Sequence, residues 1–144
     1  MLRVWPLVLL LCLACTGCTV NEVIVAEESE LVVAHTPVEE SRLLDVGIVE
    51  FAPGIDEEND PRKTGVHEEI RFAETKYLAY HLKTTLQGTG HWGAVRVIPS
   101  RQAFTDIIIS GNIGLSDGEF AAVNVLVESA AGRHWFDKTY EMQT

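Results

Sequence analysis

Cysteine is scarce in this sequence. Its three copies, Cys12, Cys15 and Cys18, fall within seven residues near the start, and none occurs in the remaining 126 residues. No disulfide framework can therefore hold the body of the chain together. The C-x-x-C-x-x-C spacing would suit part of an iron–sulfur site, but such a site needs a fourth thiolate and folded protein around its ligands. The sequence has no fourth cysteine, so the flanking residues must explain the cluster.

Basic residues are also few. Lysine and arginine number 11 against 21 aspartates and glutamates, which gives a formal net charge of -10. The imbalance lies at the front, because residues 22–60 hold twelve acidic residues and one basic residue, whereas residues 61–144 hold nine of each sign. Nucleic-acid binding needs a basic face. We therefore expect no nucleic-acid partner.

Long hydrophobic runs are missing as well. The most apolar run, from Val4 to Ala14, has eleven residues, whereas a helix needs roughly 20 to cross a bilayer. It follows a single basic residue, Arg3, and small residues come after it. This order is typical of a secretory signal peptide. We therefore expect residues 1–17 to be a signal peptide rather than a membrane span.

The four residues that follow this run, CTGC, resemble the lipobox of bacterial lipoproteins, in which two small residues precede a lipid-modified cysteine. Thr16 and Gly17 match that pattern, whereas Cys15 stands where leucine is usual. The resemblance implies that Cys18 carries the lipid and begins the mature chain, and two or three acyl chains would make its attachment to the membrane stable. Thr19 stands where inner-membrane lipoproteins usually have aspartate, which implies the outer membrane and a domain that faces the periplasm.

The mature chain is long enough for one domain that follows an acidic segment. Residues 18–41 mix short valine pairs with glutamates and have no sustained period, which is typical of a solvated tether. The alternative is an edge strand or docking segment built on NEVIVA and ELVVA. Residues 42–144 are expected to form one small domain, either complete or the front part of a longer protein.

Strand and helix patterns follow in a definite order. The first strand is predicted at RLLDVGIVEF, residues 42–51, because its apolar residues fall on both alternating faces, as in a well-buried strand. The charged residues 52–65 then form a loop long enough to be mobile or functional. Residues 66–87 predict one long helix that ends at Gly88 and Gly90.

Four further strands are predicted after the helix, at WGAVRVIP, TDIIISGNIGL, FAAVNVLVESA and RHWFDKTYEM. Asp117-Gly118, between two β-rich runs, is typical of a hairpin turn. The order β-α-β-β-β-β predicts an α+β fold, with a mostly antiparallel sheet and one long helix packed on one face.

Several of these segments resemble parts of a group of envelope proteins. GIVEF in the first strand, GTGHWGAVRVIP after the helix and TDIIISGNI before the meander are similar to the amino-terminal domain of the Tol-Pal periplasmic protein. They are also similar to transport auxiliary lipoproteins, the curli secretion lipoprotein and a peptidoglycan-synthase activator. The resemblance covers about residues 42–141 and implies a scaffold or assembly role without catalytic residues. Those domains usually add another helix after or within the meander, whereas here the last strand runs into EMQT.

Catalytic and metal-binding motifs are not evident. His67-Glu68-Glu69-Ile70-Arg71 has the start of the zinc-protease motif H-E-x-x-H, but Arg71 replaces the second histidine and cannot bind zinc. The other histidines lack ligand spacing, and no G-x-S-x-G elbow is present. Turn geometry explains Ser116-Asp117. We expect no metal, no cofactor and no enzymatic activity.

Two pairs of residues are candidates for binding. Arg71 and Glu74 are three positions apart on the predicted helix, close enough to pair; the pair is either structural or part of a ligand site with His81. Trp92 and Trp135 are either interface anchors or core residues. The sequence thus predicts a membrane-anchored, non-enzymatic envelope assembly, scaffold or transport-accessory factor with an envelope protein partner. The alternative is a periplasmic ligand-binding or enzymatic domain that uses Arg71, Glu74 and His81.

Overall fold

Six strands and one long helix make up the part of the chain that the computed structural model describes, residues 22–25, 30–55, 67–101 and 104–143. The predicted cysteine cluster and most of the predicted loop at residues 52–65 lie outside these ranges. A short 3-10 helix is present at Glu40–Arg42. The α+β class and the single long helix are confirmed. The elements are β1 (Glu22–Val25), β2 (Val46–Val49), α1 (Glu68–Thr89), β3 (Val95–Ile98), β4 (Ile107–Ser116), β5 (Phe120–Ser129) and β6 (His134–Gln143).

The six strands form one mixed sheet in the order β1-β6-β5-β4-β2-β3. Strands β4, β5 and β6 form an antiparallel meander. Strand β2 pairs in parallel with both β3 and β4, and β1 pairs in parallel with β6. The expectation of a mostly antiparallel sheet was wrong in this detail. Because α1 carries the chain back along the sheet, β3 must run in the same direction as β2.

The chain returns a second time between β3 and β4, since these strands lie in parallel on either side of β2. The return segment packs against Gly47 of β2, where a Cβ atom would lie 2.5 Å from the Ile98 Cδ1 atom and 3.0 Å from the Thr105 side chain. A Cβ atom at this position would force the ends of these side chains to shift. Arg101 of the same segment donates to Ser110 Oγ at 2.5 Å. The segment therefore crosses the sheet face opposite to α1.

Asp45, one residue before β2, joins the starts of three strands. Its carboxylate accepts the Ala94 N–H at 2.7 Å, and its own N–H donates to the Asp106 carboxylate at 2.8 Å. Its carbonyl accepts the N–H groups of Asp106 and Ile107, and Arg96 lies 3.8 Å from its second carboxylate oxygen. The local sequence pattern does not indicate this role, because it shows Asp45 only as a polar residue within a predicted strand.

Helix α1 begins with Glu68 and Glu69 in its first turn, where acidic side chains interact favourably with the helix dipole. Its last residue is Thr89. Gly90 follows it with a left-handed φ of 69°, the usual conformation of a glycine after a helix. Its inward side buries the small residues Thr75 and Ala79. These let α1 lie close against the sheet over β2 and β3.

Part of the predicted acidic tether belongs to the sheet. Glu22–Val25 forms β1 at one edge, and Lys138 of β6 contacts the Glu22 carboxylate at 2.9 Å. Further along, the Ala34 N–H donates to the carbonyl of Thr89 at 2.7 Å, at the end of α1. The edge-strand alternative therefore describes residues 22–25.

Candidate functional site

An open apolar groove of about 710 Å³ lies between α1 and the sheet. It exists because one helix is too narrow for six strands. A helix with its side chains is about 10–12 Å across, whereas six strands spaced about 4.8 Å apart span about 24 Å. Since α1 lies over β2 and β3, no described element covers the apolar face of β4, β5 and β6.

Alternate side chains of the meander form the strand wall of the groove, as expected for a sheet with one apolar face. The floor is buried, whereas the rim is exposed: Trp135 is 42% exposed and Met142 49% exposed. The apolar residues of β4, β5 and β6 that line the groove are Ile107, Ile109, Ile113, Leu115, Ala121, Val123, Val125, Val127, Trp135, Phe136, Tyr140 and Met142.

The opposite face of β5 and β6 carries polar contacts. Asn124 donates to the Asp137 carboxylate at 2.6 Å, and Arg101 forms an ion pair with Glu128. The contrast between the two faces shows that the apolar groove is a specific feature of one side of the sheet.

Arg71, Glu74 and Ser116 form a polar cluster at one end of the groove. Arg71 is only 3% exposed; its Nε atom lies 3.6 Å from Glu74, and its Nη2 atom donates to the Ser116 carbonyl at 3.2 Å. Ser116 Oγ in turn donates to Glu74 at 2.8 Å. The structure thus joins the predicted Arg71–Glu74 pair and ties it to β4.

Only part of this cluster faces the groove. Glu74 and Ser116 line it, whereas Arg71 lies behind them. The Arg71 Nη1 atom is buried and has no hydrogen-bond partner among the described residues. The arrangement fastens the first half of α1 to the end of β4 and places one carboxylate and one hydroxyl at the groove wall.

His81 lines the same groove but stands apart from this cluster. It is seven residues after Glu74, which is about 10 Å along a helix, and its ring stacks on Tyr77 with centroids 5.7 Å apart. Within the described ranges, no group of three or more His, Cys, Asp or Glu residues could hold a metal ion. Of the predicted trio, Glu74 and His81 therefore line one groove, whereas Arg71 lies behind its wall, and the three form no compact constellation.

Both candidate tryptophans line the groove. Trp92, just before β3, packs against the buried core, whereas Trp135, near the start of β6, is exposed at the rim. The strand register places both toward the start of β4, the end away from Ser116. Sequence reasoning named both residues but missed the groove that joins them. The available signal was the run of apolar residues at alternate positions in β5.

Lys138 lies on the groove face of β6, between Phe136 and Tyr140. Its amine is 6.0 Å from the centre of the Phe136 ring. The hydrogen bond with the Glu22 carboxylate raises the pKa of Lys138 above its ordinary value, against a smaller opposing effect of desolvation. This ion pair marks the place where β1 meets the open side of the groove.

No protein-family model and no curated protein matches the chain. A solved dodecamer of a PelC variant from Paraburkholderia phytofirmans is similar in structure, with a TM-score of 0.47 and 15% sequence identity. The similarity covers 72% of this chain and 74% of that chain. The described part of this chain contains no helix that is both long and apolar enough to cross a membrane.

Proposed function

We propose that this protein is a lipid-anchored, non-enzymatic accessory protein of a bacterial envelope, held at the outer membrane by Cys18 and facing the periplasm. The open apolar groove is the observation that supports a binding role. Soluble proteins rarely leave a large continuous apolar surface uncovered unless another molecule covers it. The signal-like residues 1–17 and the lipobox support the location.

The groove suits binding better than chemistry. Its wall is apolar except where a few polar side chains from α1 and β4 reach it, which is the usual composition of a binding pocket. A catalytic site needs an acid, base or nucleophile within hydrogen-bond reach of a common point. Glu74 and His81 are too far apart along α1 for that.

A photo-crosslinking amino acid placed in turn at Met142 and Glu141 tests the binding role. These are adjacent, exposed residues of β6, and the strand turns them to opposite faces. In intact envelopes we expect a discrete adduct from Met142 and none from Glu141. Equal adducts from both positions would contradict binding in the groove.

Labelled palmitate tests the anchor. Wild-type protein should incorporate the label, and Cys18→Ser should not, whereas Cys15→Ser should retain it. Labelling that persists unchanged in Cys18→Ser would refute the proposed anchor.

A second candidate function is the binding of a small ligand through Glu74 and His81, which both line the groove. In that case Glu74→Gln should abolish binding of the ligand with little loss of stability. A loss of stability without any ligand effect would instead show that the Arg71–Glu74 pair is structural.

A further inference from the structure

Strand β1 begins at Glu22, beside the open side of the groove. Glu22 pairs with Lys138, and paired residues of neighbouring strands point to the same face of a sheet. Three residues separate Glu22 from Cys18. Four extended Cα steps span at most about 14 Å. A lipid on Cys18 would therefore begin within that distance of the strand that borders the groove.

The groove also has about the length of one acyl chain. Its helix wall runs from Glu74 to Leu86, which is about 18 Å at 1.5 Å per residue. The hydrocarbon of one bilayer leaflet is about 15 Å deep, half of a core of about 30 Å. The groove wall is apolar along most of this length, so a hydrocarbon chain can lie in it without burying unpaired polar groups.

We propose that, when no partner is bound, one acyl chain of the lipid on Cys18 folds back into the groove and covers it. This inference rests on the proposed function, since it requires a lipid at Cys18, and it adds a means of regulating the same site. The acyl chain exchanges the apolar bilayer for the apolar groove, while Trp135 and Met142 are removed from water. A partner must displace the acyl chain to bind, and the acyl chains left in the bilayer keep the protein anchored.

The test uses lipidated, full-length mature protein from cells fed a fatty acid that carries a diazirine. The protein is purified, reconstituted in vesicles of phosphatidylethanolamine and phosphatidylglycerol, and illuminated. Insertion sites are mapped by mass spectrometry, with isotope-labelled copies mixed in to separate insertion within one molecule from insertion between molecules. We expect insertion within the same molecule, into peptides of β5 and β6 that line the groove.

Other outcomes overturn the inference. Insertion confined to the vesicle lipids would show that the acyl chains stay in the bilayer, and insertion into isotopically distinct copies would assign the groove to a second copy. If the fatty acid is incorporated at Cys18 but does not insert into the groove, this inference is refuted and the proposed anchor is not. Failure to incorporate the fatty acid at Cys18 refutes both the inference and the proposed anchor.

Neighbouring residues of β5 provide a matched control. Val125 lines the groove, whereas Leu126 points to the opposite face. Val125→Gln should lose most of the insertion within one molecule, and Leu126→Gln should retain it. Circular dichroism melting verifies that both variants fold. Equal insertion in two folded variants would contradict occupation of the groove.

Discussion

Arg71 shows how a single residue can hold an open fold together. Its charge is almost fully buried, and it is compensated by Glu74 and by the carbonyl of Ser116. A buried charge that loses its partner is costly, whereas an exposed pair contributes little. The cluster therefore matters more to the stability of the fold than the surface ion pair between Arg96 and Asp45.

Replacing Glu74 should be destabilising. Glu74→Gln leaves the Arg71 charge without its carboxylate, and we expect a loss of about 2 kcal/mol in the free energy of unfolding, because Glu74 is partly exposed and water offsets some of the cost. Urea denaturation measures it. Glu69→Gln, on an exposed position of the same helix, is the control and should change stability little. Equal effects of the two substitutions would argue against a structural pair.

Asp117 makes the β4–β5 hairpin sensitive to acid. Hydrogen bonds from the N–H groups of Phe120 and Glu119 lower the pKa of Asp117, outweighing a small effect of desolvation. Because the folded pKa is lowered, this stabilisation is present above the pKa of the unfolded chain and is lost as pH falls through the folded pKa. Thermal melts over a pH series should show the melting temperatures of wild type and Asp117→Ala converging at low pH. A difference that is constant with pH would refute this assignment.

At the scale of elements, the least supported strand is β1. It is four residues long, lies at the sheet edge, and exposes Val23 and Val25 to solvent. Short edge strands of this kind depend on side-chain pairs across the strands. We therefore expect β1 to depend on the pair of Glu22 with Lys138.

Lys138 should hold β1 in place below its raised pKa. Because the folded pKa is raised, the stabilisation is complete below the ordinary lysine pKa and disappears as pH rises through the folded pKa. Methyl NMR signals of Val23 and Val25 should shift toward unfolded positions at that alkaline pH, and already at neutral pH in Lys138→Gln. Lys83→Gln, on the outer side of α1, should leave these signals unchanged. If Lys138→Gln also leaves them unchanged, β1 does not depend on the ion pair.

At the scale of the whole molecule, the sheet is wider than the one long helix of the described residues can cover. The apolar rim of the groove combines Trp135 and Met142 with exposed side chains of α1. An uncovered apolar patch of this kind promotes association in water. The domain without its proposed lipid should therefore self-associate.

Sedimentation velocity can measure this association. Residues 18–144 with Cys18→Ser should self-associate, and the further pair Trp135→Gln with Met142→Gln should shift the domain toward monomer. Ile70→Gln with Phe72→Gln removes two exposed apolar residues of α1 that do not line the groove, and it serves as the matched control. Equal effects of the two pairs would assign the association to general surface hydrophobicity.

Local patterns determined most of the elements. The apolar run at residues 46–49, the Asp117-Gly118 turn and the glycine after α1 all act through near neighbours, so each could be recognised in the sequence. The helical spacing also indicated Arg71 and Glu74 as a candidate pair. The lipid expected at Cys18 rests instead on a resemblance to the lipobox, and that prediction still awaits its test.

Only the tertiary structure decided the sheet's mixed direction, the joining role of Asp45 and the groove. Each depends on contacts between distant segments: Asp45 contacts Ala94 and Asp106, and β1 reaches β6 at the far end of the chain. Hydrophobic alternation shows which face of a strand is apolar, but it cannot show how many strands one helix will cover. Among the described residues, one long helix covers only part of a six-stranded sheet, which leaves an apolar face open. The width of the sheet becomes known only when the strands are placed side by side.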